Sequence, residues 1–338
     1  MKKVVIVTDA WSKNINGVVT AIKYTKQGLE EKGYEVTIIH PGLFRNIPMP
    51  YYAEVRVPIF AGRKLGKMLK KIQPDYVHIE TEGALGLTAR MACRRRKWKF
   101  TTSYHTRMPE YVAIRIKLKK IKKMTWDYLR WFHSKSQKIL ASTLCLKKEL
   151  EKMRFKNIAI VPFGVDLDLF KKNPKAEIPV GFKKPIFTFL GRIDPEKNLR
   201  AFLEADLPGT KLIIGDGQEK KKLEKEFTGE NIIFVGRKKG RKIVDLLSIS
   251  DVFVFPSKTD TFGLVLVEAL ACEVPVAAYD VHGPKDVIKN GFDGFLGENL
   301  AENTMKCLKL NPKNCRKTAL KYSWDNFTKK FIKNLVHV

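Results

Sequence analysis

Asp260 and Glu268 stand eight residues apart in VFVFPSKTDTFGLVLVEALACEVPVAAYDVHGPKDV, Val252 to Val287, a stretch otherwise dominated by apolar residues. Val252 to Phe255 has the composition of a buried strand, Ser257 to Thr261 of a loop, Gly263 to Ala271 of a helix and Pro275 to Tyr279 of the next strand. In such a βαβ unit the amides of Phe262, Gly263 and Leu264 are the first donors of the helix. They offer hydrogen bonds and a partial positive charge to a phosphate or a row of sugar hydroxyls. Glu268 lies in the run LVLVEALA, where an ionised carboxylate needs partners; its two oxygens could accept from the vicinal hydroxyls of a ribose. Asp260 could do the same for a hexose. Plainer roles also fit these two residues, an N-cap for Asp260 and an edge-exposed helix position for Glu268.

The elements that must hold these groups repeat along the chain. Apolar β-like runs alternate with amphipathic helical ones at Val4 to Val7, Val36 to Ile39, Tyr76 to Ile79, Phe100 to Tyr104, Ile139 to Ala141 and Ile158 to Val161. After a basic, turn-rich connection, Asp168 to Lys184, the pattern restarts at Ile186 to Leu190, Leu212 to Ile214, Ile232 to Val235, Val252 to Phe255 and Val276 to Tyr279. The fold class predicted is α/β, with two Rossmann-like, doubly wound parallel-sheet domains whose carboxyl strand ends face a central cleft. The expected domains are residues 1–168 and 169–321, with an amphipathic helix in 322–338 packing back on the first.

Loops at the expected strand ends carry matching chemistry. Gly191-Arg192-Ile193-Asp194-Pro195-Glu196-Lys197-Asn198 supplies two cations, Arg192 and Lys197, suited to a diphosphate. Gly191, Gly215 and Gly217, and Gly236 with Arg237, could let backbone approach a base or phosphate, although each could also be an ordinary turn. Asn16-Gly17-Val18 falls where the first helix begins. A redox dinucleotide is not expected, because neither sheet opens with GxGxxG.

Composition sets the outer bounds. At 338 residues and 44% hydrophobic content, the chain is long enough for two ordinary cores. Its five scattered cysteines, Cys93, Cys145, Cys272, Cys307 and Cys315, have no metal-ligand spacing and suit a reducing compartment. The opening MKKVVIVTDAW reads as a first buried strand and not as a signal peptide, and no run is long enough to span a bilayer. The net charge of +29 is uneven, with 34 basic and 14 acidic residues in 1–170 and 30 and 21 in 171–338. An anionic partner is implied: nucleic acid, an acidic membrane or a nucleotide-linked substrate. Nucleic acid fits least, because no reading helix, stacking platform or compact basic groove is legible.

The segments GRIDPEKN, GDG, FVGR and PSKTDTFGLVLVEALACEVPVAAYDVHGPKDV, with Asn16-Gly17-Val18 and Ser103-Tyr104-His105-Thr106, resemble the GT-B retaining glycosyltransferases of family 4 over nearly the whole chain. The family's Glu-x7-Glu pair stands here as Asp260 and Glu268. The resemblance implies transfer of a sugar from a nucleotide diphosphate with retained α configuration and no metal or other cofactor. It places Glu268 on the ribose, Asp260 near the donor sugar, Thr261 to Leu264 on sugar and phosphate, Arg192 with Lys197 on the diphosphate, and His105 on the reacting region. Front-face displacement would need no protein nucleophile, because the leaving phosphate can take the acceptor's proton.

The acceptor side is marked by Tyr111 to His133, YVAIRIKLKKIKKMTWDYLRWFH, which interleaves Arg115, Lys117, Lys119, Lys120, Lys122 and Lys123 with apolar residues before Trp126. A second basic patch, Arg94, Arg95, Arg96, Lys97, Trp98 and Lys99, lies in the same half, and Glu110 is a further acceptor-side candidate. Such segments suit an anionic bilayer interface, although a domain helix with solvated lysines has the same composition. SYHTRMPEYV is similar to the branch containing diacylglycerol glycosyltransferases, sulfoquinovosyl-lipid synthases and lipid mannosyltransferases. The expectation is a cytoplasmic, peripheral enzyme on the inner face of the cell membrane that moves a hexose from a UDP-sugar, UDP-glucose first, onto diacylglycerol or a similar lipid. A GDP-mannose-dependent α-mannosyltransferase is the alternative.

Overall fold

The computed structural model describes residues 1–11, 17–49, 52–115 and 119–338, with the side chains at 49, 52–55, 115 and 119 also left undescribed. The chain divides into two units, Met1–Phe163 with Trp324–Val338, and Gly164–Ser323.

In unit 1 six parallel strands run in the order Tyr34–Ile39, Lys2–Val7, Tyr76–Ile79, Thr101–Tyr104, Lys138–Ala141, Ile158–Ile160. Val4 pairs with Val36 on one side and with Tyr76 on the other. Val4 to Val7 are covered on both faces, which is why the strand reads as a continuous apolar run. Chain order reverses beside Lys2–Val7, so the carboxyl ends of that strand and of Tyr76–Ile79 flank the topological switch point. An antiparallel hairpin, Asn46–Met49 with Tyr52–Pro58, is absent from the sequence reading, because Pro48 and Pro58 break the strand pattern. The helix Trp324–Asn334 completes this unit: Trp324 stacks on Tyr24 with ring centroids 4.6 Å apart, and Phe327 and Phe331 are buried.

Unit 2 has the strand order Ile232–Gly236, Thr210–Asp216, Ile186–Arg192, Val252–Phe255, Val276–Ala278, Gly294–Leu296, all parallel. Its switch point lies between Ile186–Arg192 and Val252–Phe255. The loops that leave those two strands are the ones carrying Arg192, Lys197 and Asp260.

Candidate active site

Arg192 ends its strand, and the following loop folds back on it. Its Nη1 lies 2.6 Å from Asp194 Oδ2 and its Nη2 3.0 Å from Glu196 Oε1. Both carboxylates are buried, so the guanidinium, about one third exposed, is held from behind. The loop is closed by Pro195–Lys197, a 3-10 turn ending at Asn198 in the left-handed region (φ 53°). Asn198 Nδ2 donates to Pro256 O at 3.1 Å, while Ser257 Oγ and Thr259 Oγ1 donate to Glu196 O at 3.3 and 3.2 Å. These bonds tie the loops after the two central strands together and bring Lys197 Nζ to 2.5 Å from Asp260 Oδ1. Asp260 Oδ2 is buried and accepts no hydrogen bond from the described residues.

Glu268 sits in the helix Leu264–Ala271, whose N-cap, Gly263, has φ 81°. Gly263 answers a backbone demand that a side chain would strain. Glu268 is half-buried and has no side-chain partner among the described residues, and burial pushes its carboxyl up to about 7. Phe262 is buried, its ring edge-on against Tyr322 at 5.6 Å, so the side chain belongs to the core. Thr261 is also buried, and Leu264 is partly covered at the first helical position.

The glycines at these strand ends also have a reason within the fold. Gly191 and Gly215 are register partners on adjacent strands, and a Cβ at Gly215 would lie 1.9 Å from Gly191 O. A Cβ at Gly217 would lie 2.4 Å from Ile193 O. Close approach of the protein's own backbone explains Gly215 and Gly217 without any ligand. Gly236 has φ 70° at the end of an outer strand, with exposed Arg237 beside it, away from the two central loops.

In unit 1, Asn16 lies outside the described residues, and Gly17 and Val18 open the helix Gly17–Glu31. His105 follows the strand Thr101–Tyr104, with its Nε2 2.6 Å from Glu80 Oε1. Glu80 also meets His78 Nε2 at 2.7 Å through Oε2. Asp9 caps the helix Ala84–Arg95, accepting from Leu85 N at 2.7 Å and Gly86 N at 3.1 Å. Glu80, Glu82 and Asp9 were not singled out from sequence. VHIETEG follows a strand into a helix, and carboxylates at a switch point were the signal that could have drawn attention there.

The proposed lipid face is redrawn. Lys117 and the side chains of Arg115 and Lys119 lie outside the described residues. Lys120, Lys122 and Lys123 are exposed on the helix Lys119–His133, but Trp126, expected at a lipid surface, is 6% exposed and stacks on Tyr104 at 6.3 Å. The core beneath this helix claims its aromatic side. Glu110 pairs with Lys122 at 3.3 Å and Arg107 at 3.7 Å. Arg94 and Arg95 are exposed, whereas Arg96 donates to Gly66 O at 3.0 Å and stacks on half-buried Trp98. A different feature emerges beside them. The helices Ala61–Ile72 and Ala84–Arg95 enclose a groove floored by Gly62, Gly66 and Ala92, rimmed by Arg63, Lys67, Lys70, Arg95 and Arg96, and lined by no carboxylate. Phe60, 95% exposed in the left-handed region (φ 53°), stands at the start of the first of these helices. Among the described residues no helix is long and apolar enough to cross a membrane.

Two doubly wound parallel-sheet units with charged groups at their switch points are the fold of the glycosyltransferases that this chain resembles. Residues 15–169 match the family described as Glycosyltransferase Family 4 and residues 171–315 the one described as Glycosyl transferases group 1, and the chain belongs to this glycosyltransferase family, with the GT-B fold. It is 28% identical over 287 residues to a sulfoquinovosyl transferase of Arabidopsis thaliana, which covers 81% of this chain and 55% of that protein. The chain thus spans about half the length of that relative. It is 27% identical over 323 residues to a GDP-mannose-dependent alpha-mannosyltransferase of Corynebacterium glutamicum (87% of this chain, 76% of that protein) and 28% identical over 319 residues to an alpha-monoglucosyldiacylglycerol synthase of Acholeplasma laidlawii (80% and 78%). Among solved structures, sucrose-phosphate synthase of Thermosynechococcus elongatus superposes with a TM-score of 0.78 at 16% identity over 98% of both chains. Anabaena HepE in complex with UDP-glucose gives 0.73 at 15% identity over 98% and 99%.

Proposed function

We propose that the chain is a retaining, metal-independent hexosyltransferase that moves a sugar, glucose first, from a UDP-sugar to a membrane lipid such as diacylglycerol. The observation that carries the donor half is the set Arg192, Lys197, Asp260 and Glu268 at the switch point of unit 2. Two held cations suit the charge that develops on a departing diphosphate, and Glu268, with no side-chain partner among the described residues, suits a pair of ribose hydroxyls. As the anomeric carbon loses its bond to the diphosphate oxygen, it bonds to the acceptor oxygen on the same face. The released diphosphate takes the acceptor's proton, so the step needs no protein nucleophile or metal.

The lipid half is supported by the diacylglycerol and sulfoquinovosyl relatives and by the basic groove. A large aromatic left in water on a strained backbone costs stability twice over, and membrane contact gives Phe60 a use. A protein with this activity would work at the cytoplasmic face of an anionic membrane. The GDP-mannose reading is kept because mannosyltransferase relatives match as much of the chain. Incubating UDP- and GDP-sugars with mixed lipids and identifying products by mass spectrometry decides between them: a hexosyl-diacylglycerol made from UDP-glucose supports the first reading, and a mannosylated lipid made only from GDP-mannose supports the second. In flotation, vesicles with anionic lipid should carry the protein upward and neutral vesicles should not. Phe60→Asp, or Arg63→Glu with Lys67→Glu, should weaken binding by about tenfold or more. Protein that stays at the bottom with anionic vesicles removes the peripheral-membrane reading.

A further inference from the structure

A buried acid at the switch point of unit 1 is paired directly with His105. Glu80 is 4% exposed, and both its oxygens are engaged: Oε1 by His105 Nε2 at 2.6 Å, Oε2 by His78 Nε2 at 2.7 Å and by Ser103 Oγ at 3.4 Å. His78 is fully buried, with Nδ1 2.8 Å from Thr101 Oγ1 and Nε2 2.9 Å from Ser103 Oγ. One carboxylate therefore faces two imidazoles, and its burial requires a countercharge.

The surroundings decide which ring carries that charge. His78 is sealed away from solvent, with Thr101 and Ser103 hydroxyls on its nitrogens and Phe331 closing over it edge-on at 4.8 Å. His105 stands nearer the surface, against the ring of Phe163 at 5.2 Å, and among the described residues Glu80 and, further off, Glu82 act on its charge. Burial alone would favour a neutral His105, but these two carboxylates outweigh it and hold its proton more tightly than usual. Burial alone would also raise Glu80, yet His105 and then His78 hold it below the ordinary carboxylate range. The two shifts agree on an ion pair.

We infer that Glu80 is a positioning residue that keeps His105 as an imidazolium with its Nε2 proton committed to the carboxylate, so that His105 serves transfer as a hydrogen-bond donor from Nδ1 and not as a general base. An imidazolium has no lone pair with which to take the acceptor's proton. That proton must go to the departing diphosphate, as front-face displacement requires. The inference rests on His105 taking part in transfer.

The test is a histidine titration by NMR on the full-length protein labelled at its imidazole nitrogens, with the His105 signals assigned by His105→Gln. In the wild type both nitrogens of His105 should carry protons at pH 7, with a midpoint above the ordinary histidine value of about 6.5. Glu80→Gln, which keeps the shape and removes the charge, should lower that midpoint by at least about one pH unit. Because donation persists only while the ring is charged, transfer falls as pH rises through the His105 midpoint. In Glu80→Gln the alkaline limb of kcat/KM should move down with that midpoint and activity should recover toward acid pH; a structural role would depress activity at every pH. A neutral His105 at pH 7 in the wild type, or a midpoint indifferent to Glu80→Gln, overturns the inference. The wild-type titration decides even if the variant fails to fold. Since no substrate is needed, a protein inert toward every nucleotide sugar would sink the functional reading and leave this result standing.

Discussion

Lys197→Ala should lower kcat/KM by about 10²- to 10³-fold, the scale of one lost preorganised donor at a site of developing charge, with the larger part in kcat. The ground for a kcat effect is geometric. Asp260 holds Lys197 at 2.5 Å, so its ammonium is oriented by the protein's own loop and needs little reorganisation when the diphosphate departs. Asp260→Asn should cost less, because it loosens the lysine without removing it, and the double variant should resemble Lys197→Ala alone. Losses that simply multiply would show that the two residues act independently. Both side chains are mostly covered, and breaking the pair should lower stability by about 1 kcal/mol, a few degrees in Tm. Near-normal turnover in Lys197→Ala would remove this loop from the mechanism.

Glu268→Gln should separate function from stability in opposite directions. A carboxyl pushed up to about 7 by burial, against an unfolded value near 4.5, costs the folded state stability. The sign follows from proton binding: below about pH 4.5 both states are protonated and nothing is lost. Between about 4.5 and 7 the unfolded chain releases its proton first, so stability falls, and above 7 the deficit is constant. Glutamine has no such deficit. The variant should therefore exceed the wild type in Tm at pH 8 by an amount worth up to about 3 kcal/mol, and the gap should close toward pH 5. Donor binding should weaken about tenfold or more, as KM, because an amide offers one acceptor where two hydroxyls need a carboxylate. Wild-type affinity should also fall below pH 7, where the protonated carboxyl must give up its proton to accept both bonds. A destabilised variant with unchanged KM would make Glu268 an ordinary structural residue.

The parts of the site legible in the sequence are those carried by a strand and the loop directly after it. Arg192, Lys197 and Asp260 fall within a few residues of apolar runs, so their place at strand ends followed from local pattern alone. Glu80 was not legible, because its significance depends on His105, 25 residues on, whose strand lies beside it only in the folded sheet. Trp126 went the other way. A helix with lysines and aromatics has the same composition whether its aromatics face lipid or a core, and Tyr104 and Phe155 decide for the core. The groove beside Phe60 was hidden because Ala61–Ile72 and Ala84–Arg95 are separate amphipathic helices in sequence and form one basic surface only when packed side by side.

The helix Trp324–Asn334 belongs to unit 1 yet is encoded after all of unit 2. During synthesis the first six-stranded sheet therefore emerges from the ribosome with one flank bare, and Phe331 arrives to cover His78 only after some 160 further residues have been made. The histidine behind Glu80 is sealed from water last. A chain that stops before Trp324 thus carries Glu80, His78 and His105 without the helix whose Phe331 closes over His78.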